Sequence, residues 1–487
     1  MFAISSLFQR IMNISPVQRQ SLIAFFWQIC FTALGFLSTM YFAHTVGAAT
    51  LGAYFLFIAY LDIFNLAADG GLGSAAVKRI SEAEEADAYF TAYFSIRLVL
   101  TFLTLAVLIL FNSYFVDLRS ENVFCWLMLA IVVSFVSGSI SSGIAGKERM
   151  GIRNTCAFIG NMLKIIFQVI AVVLGYGAAG LAGGAVVGLL LAMLIELRFF
   201  DLRFVSFQWR HVRSLSVFSF WVFLTSGGVL VFSQSDTIMI GYFLGNEDVG
   251  LYRVVLQFST AATFTTYALR TTLWPKISRW GKSGRVELVE KALKKAFTYS
   301  LVLAIPVFAG GLALGDKLLY FFYGAEFSKG TFVLYVLLGV QIVNVFQFLL
   351  TMCLDAMDRP HESFKVTAVG IVANVLLNVL LIPLMGVLGA TIATFTTMSL
   401  NAYLAKRALS RSMRIDMEWD SILNILKSSL AMFILILLFR MIIPLSNVWL
   451  TLTTVILGGT AYVYLLMKSD NYIFQEIRDV LGKLGIF

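Results

Sequence analysis

Runs of about twenty predominantly apolar residues recur along the whole chain, and this pattern limits what the chain can fold into. A helix of that length crosses roughly 30 Å of hydrocarbon and satisfies its own backbone polar groups. We count about fourteen such runs, the first near residues 21–43 and the last near 447–467. With 59% hydrophobic and 13% charged residues, the chain cannot be a water-soluble globule. We predict an all-α polytopic membrane protein.

Short motifs recur in the same order along the chain, which indicates an internal duplication. The turn HTVGAATLGAY shares two glycines and a tyrosine with DTIMIGYFLGNEDVGLY, 198 positions later. The turns YGAAGLAGG and MGVLGATIA share a glycine pair 209 positions apart, and nearby polar turns place Arg149 opposite Arg359. Such repeats are typical of transporters built from two bundles. The matched residues are Gly47 with Gly245, Gly52 with Gly250, Tyr54 with Tyr252, Gly177 with Gly386, and Gly180 with Gly389.

The duplication predicts twelve spans in two bundles, followed by two spans without a counterpart. We predict a cytoplasmic N-terminal segment over residues 1–20 and an N-terminal six-helix bundle over 21–213. A C-terminal six-helix bundle is predicted over 214–415, and two extra transmembrane helices with a cytoplasmic tail over 416–487. The first 20 residues are apolar and basic without acids, which suits either a helix on an anionic leaflet or an exposed tail.

A net charge of +9 is compatible with binding to nucleic acid or with orientation in a membrane, and the placement of the basic residues distinguishes the two. If both termini are cytoplasmic, about 26 basic residues fall in the inside loops, whereas the outside loops carry only Arg119, Lys317 and Lys329. The bias alternates along the chain and therefore sets orientation in a membrane. We predict the cytoplasmic (inner) cell membrane, with both termini in the cytoplasm, membrane lipids as partners and no nucleic acid.

The sequence contains no pattern typical of a cofactor, metal or catalytic site. The four cysteines lie in or beside apolar runs and lack metal or redox spacing, and the three histidines are scattered among loops. A GxxxxGK loop is also missing, which argues against direct use of ATP. The outside loops are too short for a catalytic domain, so the chain is not predicted to be an enzyme. The cysteines are Cys30, Cys125, Cys156 and Cys353.

Ionisable residues inside the apolar runs are the candidate functional residues, because a charge at membrane depth costs roughly 2.5 to 3.5 kcal/mol on insertion scales. Lys164 and then Arg97 are predicted to bind the ligand, with Asp62 as their acidic partner. The alternative for these residues is a buried ion pair that only fixes helix register. Residues near run ends could instead extend to the interface. The full set is Asp62, Asp69, Arg97, Lys164, Asp236, Arg253, Arg270 and Arg440, of which Asp69, Arg253 and Arg270 lie near run ends.

Polar uncharged residues also recur within the runs. Lys164 and Gln168 lie one helical turn apart, as do Asn374 and Asn378, and the two pairs are 210 positions apart. Two interpretations stay open: hydrogen bonds between helices, or a hydrophilic groove lined by both repeats. The predicted groove residues are Asn65, Gln168, Gln257, Asn374 and Asn378.

Four motifs resemble the O-antigen-type, lipid-linked oligosaccharide flippases of the multidrug/oligosaccharidyl-lipid/polysaccharide (MOP) exporter superfamily. They are DGGLGSAAVKRIS (Asp69 to Ser81), DTIMIGYFLGNEDVGLY (Asp236 to Tyr252), LWPKIS (Leu273 to Ser278) and NVLLNVLLIPLMGVLGATIAT (Asn374 to Thr394). The resemblance implies two six-helix bundles forming a V around a cavity with alternating access, as in the MATE exporters of the same superfamily.

The cargo implied by the resemblance is an oligosaccharide on a polyprenyl phosphate or pyrophosphate, flipped to the outer leaflet for surface polysaccharide biosynthesis. A polysaccharide polymerase or glycosyltransferases of the same pathway are the implied protein partners. The cations Lys164, Arg97, Arg270 and Arg253 would bind the phosphate. The carboxylates would couple an ion or pair with the cations, and they are Asp62, Asp236 and Asp69.

Three alternatives to the flippase stay open. A cation-coupled multidrug exporter has a similar fold but usually twelve spans and a purely acidic site. A polytopic glycosyltransferase or polymerase would need a long outside loop with clustered carboxylates, and a scaffold would not need charges inside its spans. Fourteen spans and cations at membrane depth favour the flippase.

Overall fold

The computed structural model describes residues 16–82, 85–115, 118, 122–470 and 475, with side chains described from residue 32 onward except at positions 114 and 225. Helices account for most of these residues, and no strand occurs among them. The predicted all-α fold class is therefore confirmed. Most of the predicted N-terminal segment 1–20, and most of the tail after residue 470, lie outside the described residues.

The first half of the chain folds into six helices and most of a seventh. A short 3-10 turn, Asn112–Tyr114, follows the third of them. The helices are α1 (Pro16–Asp69), α2 (Leu72–Glu82), α3 (Ala86–Leu110), α4 (Phe124–Gly146), α5 (Met150–Val173), α6 (Gly177–Leu197) and α7 (Trp209–Phe243).

The second half continues with eight helices. Two 3-10 turns, Thr260–Thr263 and Ala325–Gly330, connect some of them. The helices are α8 (Asn246–Ser259), α9 (Phe264–Lys282), α10 (Val286–Tyr323), α11 (Thr331–Ala356), α12 (Pro360–Met385), α13 (Val387–Leu409), α14 (Trp419–Ile442) and α15 (Val448–Ser469).

The chain divides into two compact units, of which the first ends at Gln234 and the second begins at Ser235. The division falls inside α7, because this helix continues from one unit into the other without a break. The predicted bundle limits at residues 213 and 415 stay predictions.

Eleven helices among the described residues are long and apolar enough to cross a membrane. Three features account for the difference from the predicted fourteen spans. Gly47, at φ 76° and ψ 177°, breaks α1 into two helical arms that are counted together. The eighth predicted span is divided between α8 and α9 by a 3-10 turn, and threonines together with Asn401 make α13 less apolar. Counting the second arm, the divided span and α13 gives the predicted fourteen.

The two units share backbone features at the positions that the sequence repeat matched. Gly47 and its counterpart Gly245 both adopt positive φ, at 76° and 108°. Gly177 and Gly386, which begin the α5–α6 and α12–α13 turns in the two units, have φ of 53° and 62°. Glycine adopts these angles without the strain that a Cβ would introduce. The matched glycines therefore turn the chain between helices in the same way in each unit.

Arg149 and Arg359 also make equivalent contacts. Arg149 Nη1 donates to the carbonyl oxygen of Phe199 at 2.9 Å, and Arg359 Nη2 donates to that of Ala408 at 3.2 Å. Each arginine thus satisfies a carbonyl at or just past the C-terminal end of the second helix after it, where carbonyls lack partners within the helix. The sequence repeat therefore corresponds to repeated side-chain contacts.

A core in the first unit fixes the position of α3. It joins α2 and α3 to the segment that follows α6, and it buries Leu72, Phe90, Tyr93 and Leu202. Main-chain contacts reinforce this packing, because the Arg203 N–H donates to Asp87 Oδ1 at 3.1 Å. The side of α3 that carries Tyr93 is thereby held next to α4.

Candidate functional site

A cavity of about 550 Å³ lies within the first unit, lined by residues of α1, α3, α4, α5, α6 and α7. Five residues selected from the sequence line it, so the structure brings together selected side chains from three different helices. Glu196, which the sequence analysis did not select, lines it as well. The polar lining consists of Asp62, Asn65, Asp69, Arg97, Ser134, Ser137, Ser141, Asn161, Lys164 and Glu196.

Arg97 on α3 is almost fully buried, and its guanidinium is held by several groups. Its Nε lies 3.3 Å from Oδ1 of Asp69 at the end of α1, an ion pair without hydrogen-bond geometry. Its Nη1 donates to the hydroxyls of Tyr93 at 2.9 Å and Ser139 at 3.2 Å, and Nη2 donates to the Ser134 carbonyl at 3.1 Å. Arg97 is therefore a paired cation that ties α3 to α1 and α4.

The space for this guanidinium depends on a glycine of α4. A Cβ at Gly138 would lie 2.6 Å from Arg97 Nη1 and 2.7 Å from Nη2, which is closer than such atoms can approach. The missing side chain thus lets the Arg97 guanidinium lie directly against the α4 backbone.

The acidic partner of Arg97 is Asp69, whereas the sequence analysis proposed Asp62. The two carboxylates are seven residues apart on α1, which separates them by about 10 Å along the helix at about 1.5 Å per residue. Of the two, Asp69 forms the ion pair with Arg97. Asp62 instead accepts a hydrogen bond from Gln234 Nε2 on α7 at 2.7 Å. Asn65, between them, donates to the Ser134 hydroxyl at 3.4 Å.

Lys164 on α5 differs from Arg97 in its partners. It lines the cavity but forms no ion pair or hydrogen bond with any residue that the structure describes. Its backbone is fixed by close packing against α6, since a Cβ at Gly188 would lie 2.7 Å from Lys164 Cα and 2.8 Å from the Gly160 carbonyl oxygen. The position of Lys164 is thus determined by small residues, while its ammonium is available to a ligand.

Glu196 on α6 is only 4% exposed and lines the same cavity. Its Oε2 accepts no hydrogen bond from a described residue. The signal for this residue was present in the sequence, because Glu196 lies inside a predicted span. It is two residues before Arg198, where a charged residue is normally interpreted as the start of a loop.

The remaining selected carboxylate, Asp236, is buried in the second unit. Its Oδ2 accepts from the hydroxyls of Tyr252 at 2.7 Å and Thr394 at 2.6 Å, and its Oδ1 accepts from Asn378 Nδ2 at 2.6 Å. Asn378 also donates to Asn374 Oδ1 at 3.1 Å. Residues of α7, α8, α12 and α13 thus surround one carboxylate with neutral donors.

The other selected cations and Gln257 also lie in the second unit. Arg270 on α9 is exposed, and its guanidinium carbon lies 4.7 Å from the ring centroid of Phe348 and 5.7 Å from that of Trp274. These are cation–π distances. Arg253 and Gln257 both belong to α8.

Gln168 has a structural contact of its own. It is 2% exposed, and its Nε2 donates to the Leu181 carbonyl at 2.8 Å. A Cβ at Gly184 would lie 2.7 Å from Gln168. Gln168 therefore joins α5 to α6, as the interpretation of hydrogen bonds between helices predicted.

Comparisons with known proteins extend over most of the chain. The family model described as "Polysaccharide biosynthesis protein" matches residues 18–281, which is more than half of the chain. The MatE family model matches residues 222–380.

Two curated proteins of Haloferax volcanii are similar over nearly their full length. One is named "Probable low-salt glycan biosynthesis flippase Agl15" and is 25% identical over 465 residues, covering 96% of this chain and 98% of that protein. The other is named "Probable flippase AglR" and is 25% identical over 476 residues, covering 96% and 99%.

Solved structures show the same fold. The inward closed conformation of the lipid II flippase MurJ matches with a TM-score of 0.77 and 15% identity, covering 94% of this chain and 100% of that one. An inward-facing multidrug resistance MATE family transporter of the MOP superfamily matches with a TM-score of 0.63 and 15% identity, covering 78% and 95%. The predicted resemblance to this superfamily is confirmed, and the chain belongs to the polysaccharide biosynthesis protein family.

Proposed function

We propose that this multi-pass membrane protein flips a lipid-linked oligosaccharide, carried on a polyprenyl phosphate or pyrophosphate, between the leaflets of a membrane. The observation that carries the proposal is a charged cavity inside a helical bundle, in which the cation Lys164 forms no ion pair or hydrogen bond with any residue in the described part of the chain. Family membership and the flippase names of relatives that align over 96% of the chain support the same function.

The chemistry of the cavity suits such a headgroup. A phosphate anion needs a cation at membrane depth, and a charged residue there is costly unless a ligand or partner uses it. Lys164 is the group we assign to phosphate binding, because Arg97 is already neutralised by Asp69 and fixed by three hydrogen bonds. The serine hydroxyls and amides of the lining would bind sugar hydroxyls, and the apolar tail would remain in lipid.

Orientation and partners belong to the proposal too. The basic loops favour a cytoplasmic membrane with both termini in the cytoplasm and transport from the cytoplasmic to the outer leaflet. We assign to the carboxylates Asp62 and Asp236 the binding of an ion that is coupled to transport. We assign to Asp69 the role of charge partner to Arg97. A polysaccharide polymerase or glycosyltransferases of the same pathway would supply or consume the cargo.

Export of a lipophilic cation is the alternative function. The observation in its favour is that the cavity holds three carboxylates against two cations, which suits a positively charged guest. The MatE match and the MATE-like fold agree with it. Two membrane-depth cations in the same cavity favour the flippase.

The test is translocation of a fluorescent polyprenyl-pyrophosphate oligosaccharide in proteoliposomes. We expect wild-type protein to flip it, Lys164→Ala to flip it slowly, and Lys164→Arg to recover most of the rate. Lys282→Ala, which removes an exposed lysine at the end of α9, is the matched control and should behave as wild type. Gradient-driven efflux of a lipophilic cation without any flipping would assign the protein to the exporters instead.

A further inference from the structure

Glu196 lines the cavity but has no role in the proposed phosphate site. It is 4% exposed on α6, it lines the cavity, and its Oε2 has no hydrogen-bond donor among the described residues. No ion pair within 4 Å joins it to a described residue, unlike Asp69, which is paired with Arg97. A buried carboxylate without a cation is expensive to keep ionised.

The polar and charged groups that act on Glu196 or share its cavity come from α1, α3, α4 and α5. Ser141 on α4 is a hydrogen-bonding neighbour of its carboxylate, the charge of Arg153 on α5 acts on it, and Glu196 acts in turn on the Cys156 thiol of α5. Lys164 lines the same cavity and forms no ion pair or hydrogen bond with a described residue. The α7 lining residue, Leu230, is uncharged. The other charged groups of the cavity are Asp62 and Asp69 on α1 and Arg97 on α3.

The charge balance of the cavity depends on this one group. Three carboxylates against two cations leave one negative charge when all five residues are ionised. An anionic phosphate that enters meets a cavity of its own sign, in a region of low dielectric where such repulsion is poorly screened. A proton on Glu196 brings the formal charge of these five lining residues to zero.

We infer that Glu196 is a proton-binding site whose protonation admits the anionic headgroup to the cavity. The inference rests on the proposed phosphate-binding role of Lys164. A proton from water forms an O–H bond with a Glu196 carboxylate oxygen, the phosphate then binds at Lys164, and release of the headgroup lets that proton return to water. The cavity thus binds a proton and an anion together, each raising the affinity for the other.

The test measures binding to the purified full-length protein of farnesyl sulfonate, whose strong-acid headgroup keeps its charge across the pH range used. We expect the wild type to bind it about tenfold more tightly at about pH 5.5 than at about pH 8. Glu196→Gln, which imitates the protonated carboxyl at nearly the same volume, should bind tightly and equally at both pH values. Glu196→Asp keeps a titrating carboxyl and should keep the pH dependence.

Asp62→Asn is the matched control, because it removes a carboxylate from the same cavity without removing Glu196. It should bind more tightly at both pH values and still show the tenfold difference. A Glu196→Gln protein with the pH dependence of the wild type, or a wild type without any, would overturn the inference while leaving the anion site intact. If farnesyl sulfonate fails to bind the wild type at either pH, the phosphate site of the proposed function is wrong, and this inference is wrong with it.

Discussion

Arg97 and Asp69 form the ion pair that joins α3 to the end of α1, with 3.3 Å between Nε and Oδ1 and side-chain exposures of 7% and 26%. The same guanidinium satisfies Tyr93, Ser139 and the Ser134 carbonyl. Arg97 therefore holds together helices that line the cavity, whereas Lys164 lines the cavity without an ion pair or hydrogen bond to a described residue. The two cations that the sequence analysis selected for ligand binding, Lys164 before Arg97, thus have different surroundings in the described part of the chain.

Removal of Arg97 should consequently damage the fold as well as transport. We expect Arg97→Ala to lower the free energy of unfolding by about 3 kcal/mol, since Asp69 would stay partly buried without its cation. The double variant Arg97→Met with Asp69→Asn should be more stable than the single variant, because no charge is then left unpaired. Thermal unfolding in detergent measures both. Equal stability of Arg97→Ala and the wild type would contradict the structural role.

Gly188 should tolerate no side chain, because the α5 backbone lies directly against it. A Cβ there would be 2.7 Å from Lys164 Cα and 2.8 Å from the Gly160 carbonyl oxygen, both of which are backbone atoms of α5. We expect Gly188→Ala to separate α5 from α6 and to lower stability by about 1 to 3 kcal/mol. Gly151→Ala, at the start of α5, has no atom within 4 Å of its new Cβ and should be neutral or slightly stabilising. If Gly188→Ala and Gly151→Ala lowered the melting temperature by the same amount, close packing at Gly188 would not be the cause.

Much of the fold could be predicted from residue order alone. Apolar runs set the spans, and the matched pairs Gly47 with Gly245 and Gly177 with Gly386 mark turns that only glycine makes without strain. The cavity itself was partly predictable, because Lys164 and Arg97 are charges in the middle of apolar runs. In each case the physical signal lies within one helix or one turn.

The partners of these residues could not be predicted in the same way. Which carboxylate meets Arg97 depends on the tilt and rotation of α1 against α3, and those angles follow from packing along the whole interface. Asp236 shows the same limit, since its donor Thr394 is 158 residues away in the chain. Glu196 was not selected because it lies two residues before Arg198, at the end of its predicted span, where a charged residue is normally assigned to the following loop.

Glu85 should make stability depend on pH. It precedes α3, with Oε2 2.9 Å from His211 Nε2 and Oε1 accepting from Arg210 Nη2 at 2.6 Å. The hydrogen bond with His211, helped by the Arg210 charge, lowers the pKa of the Glu85 carboxyl below its ordinary value of 4.5. A lowered pKa in the folded state means that the contact stabilises the protein above about pH 4.5, and that this stabilisation is lost as the pH falls through the folded-state pKa.

We therefore expect the melting temperature of the wild type to fall more steeply than that of Glu85→Gln when the pH is lowered from about 5 to about 3. Glu148→Gln is the control, because Glu148 is exposed and has no partner among the described residues. It should follow the wild type at every pH. Parallel curves for the wild type and Glu85→Gln would show that this contact does not contribute.

Arg440 and Asp316 should be coupled, because they hold α14 against α10 through two hydrogen bonds of 2.9 Å and 2.6 Å. Both side chains are about one-third exposed, at 33% and 32%, so screening by solvent reduces the value of the pair. A double-mutant cycle with Arg440→Gln and Asp316→Asn should give a coupling free energy of about 1 kcal/mol. If the effects of the two substitutions on the free energy of unfolding were additive, the ion pair would not contribute to stability.

Asp236 should be needed for the response to an ion gradient while its neighbours are needed mainly for stability. Asp236 is 7% exposed, and its carboxylate accepts three hydrogen bonds from neutral donors and forms no ion pair with a described residue. Asp236→Asn places an amide where three donors point and removes the charge. We expect it to flip the lipid-linked probe at a rate that no longer depends on proton or sodium gradients.

Tyr252→Phe is the control, because it removes one hydrogen-bond donor to Asp236 and keeps the carboxylate. It should lower the free energy of unfolding by about 1 kcal/mol and keep the gradient response. The gradient response of Asp236→Asn decides the point, because a response like that of the wild type would show that the coupling ion binds elsewhere.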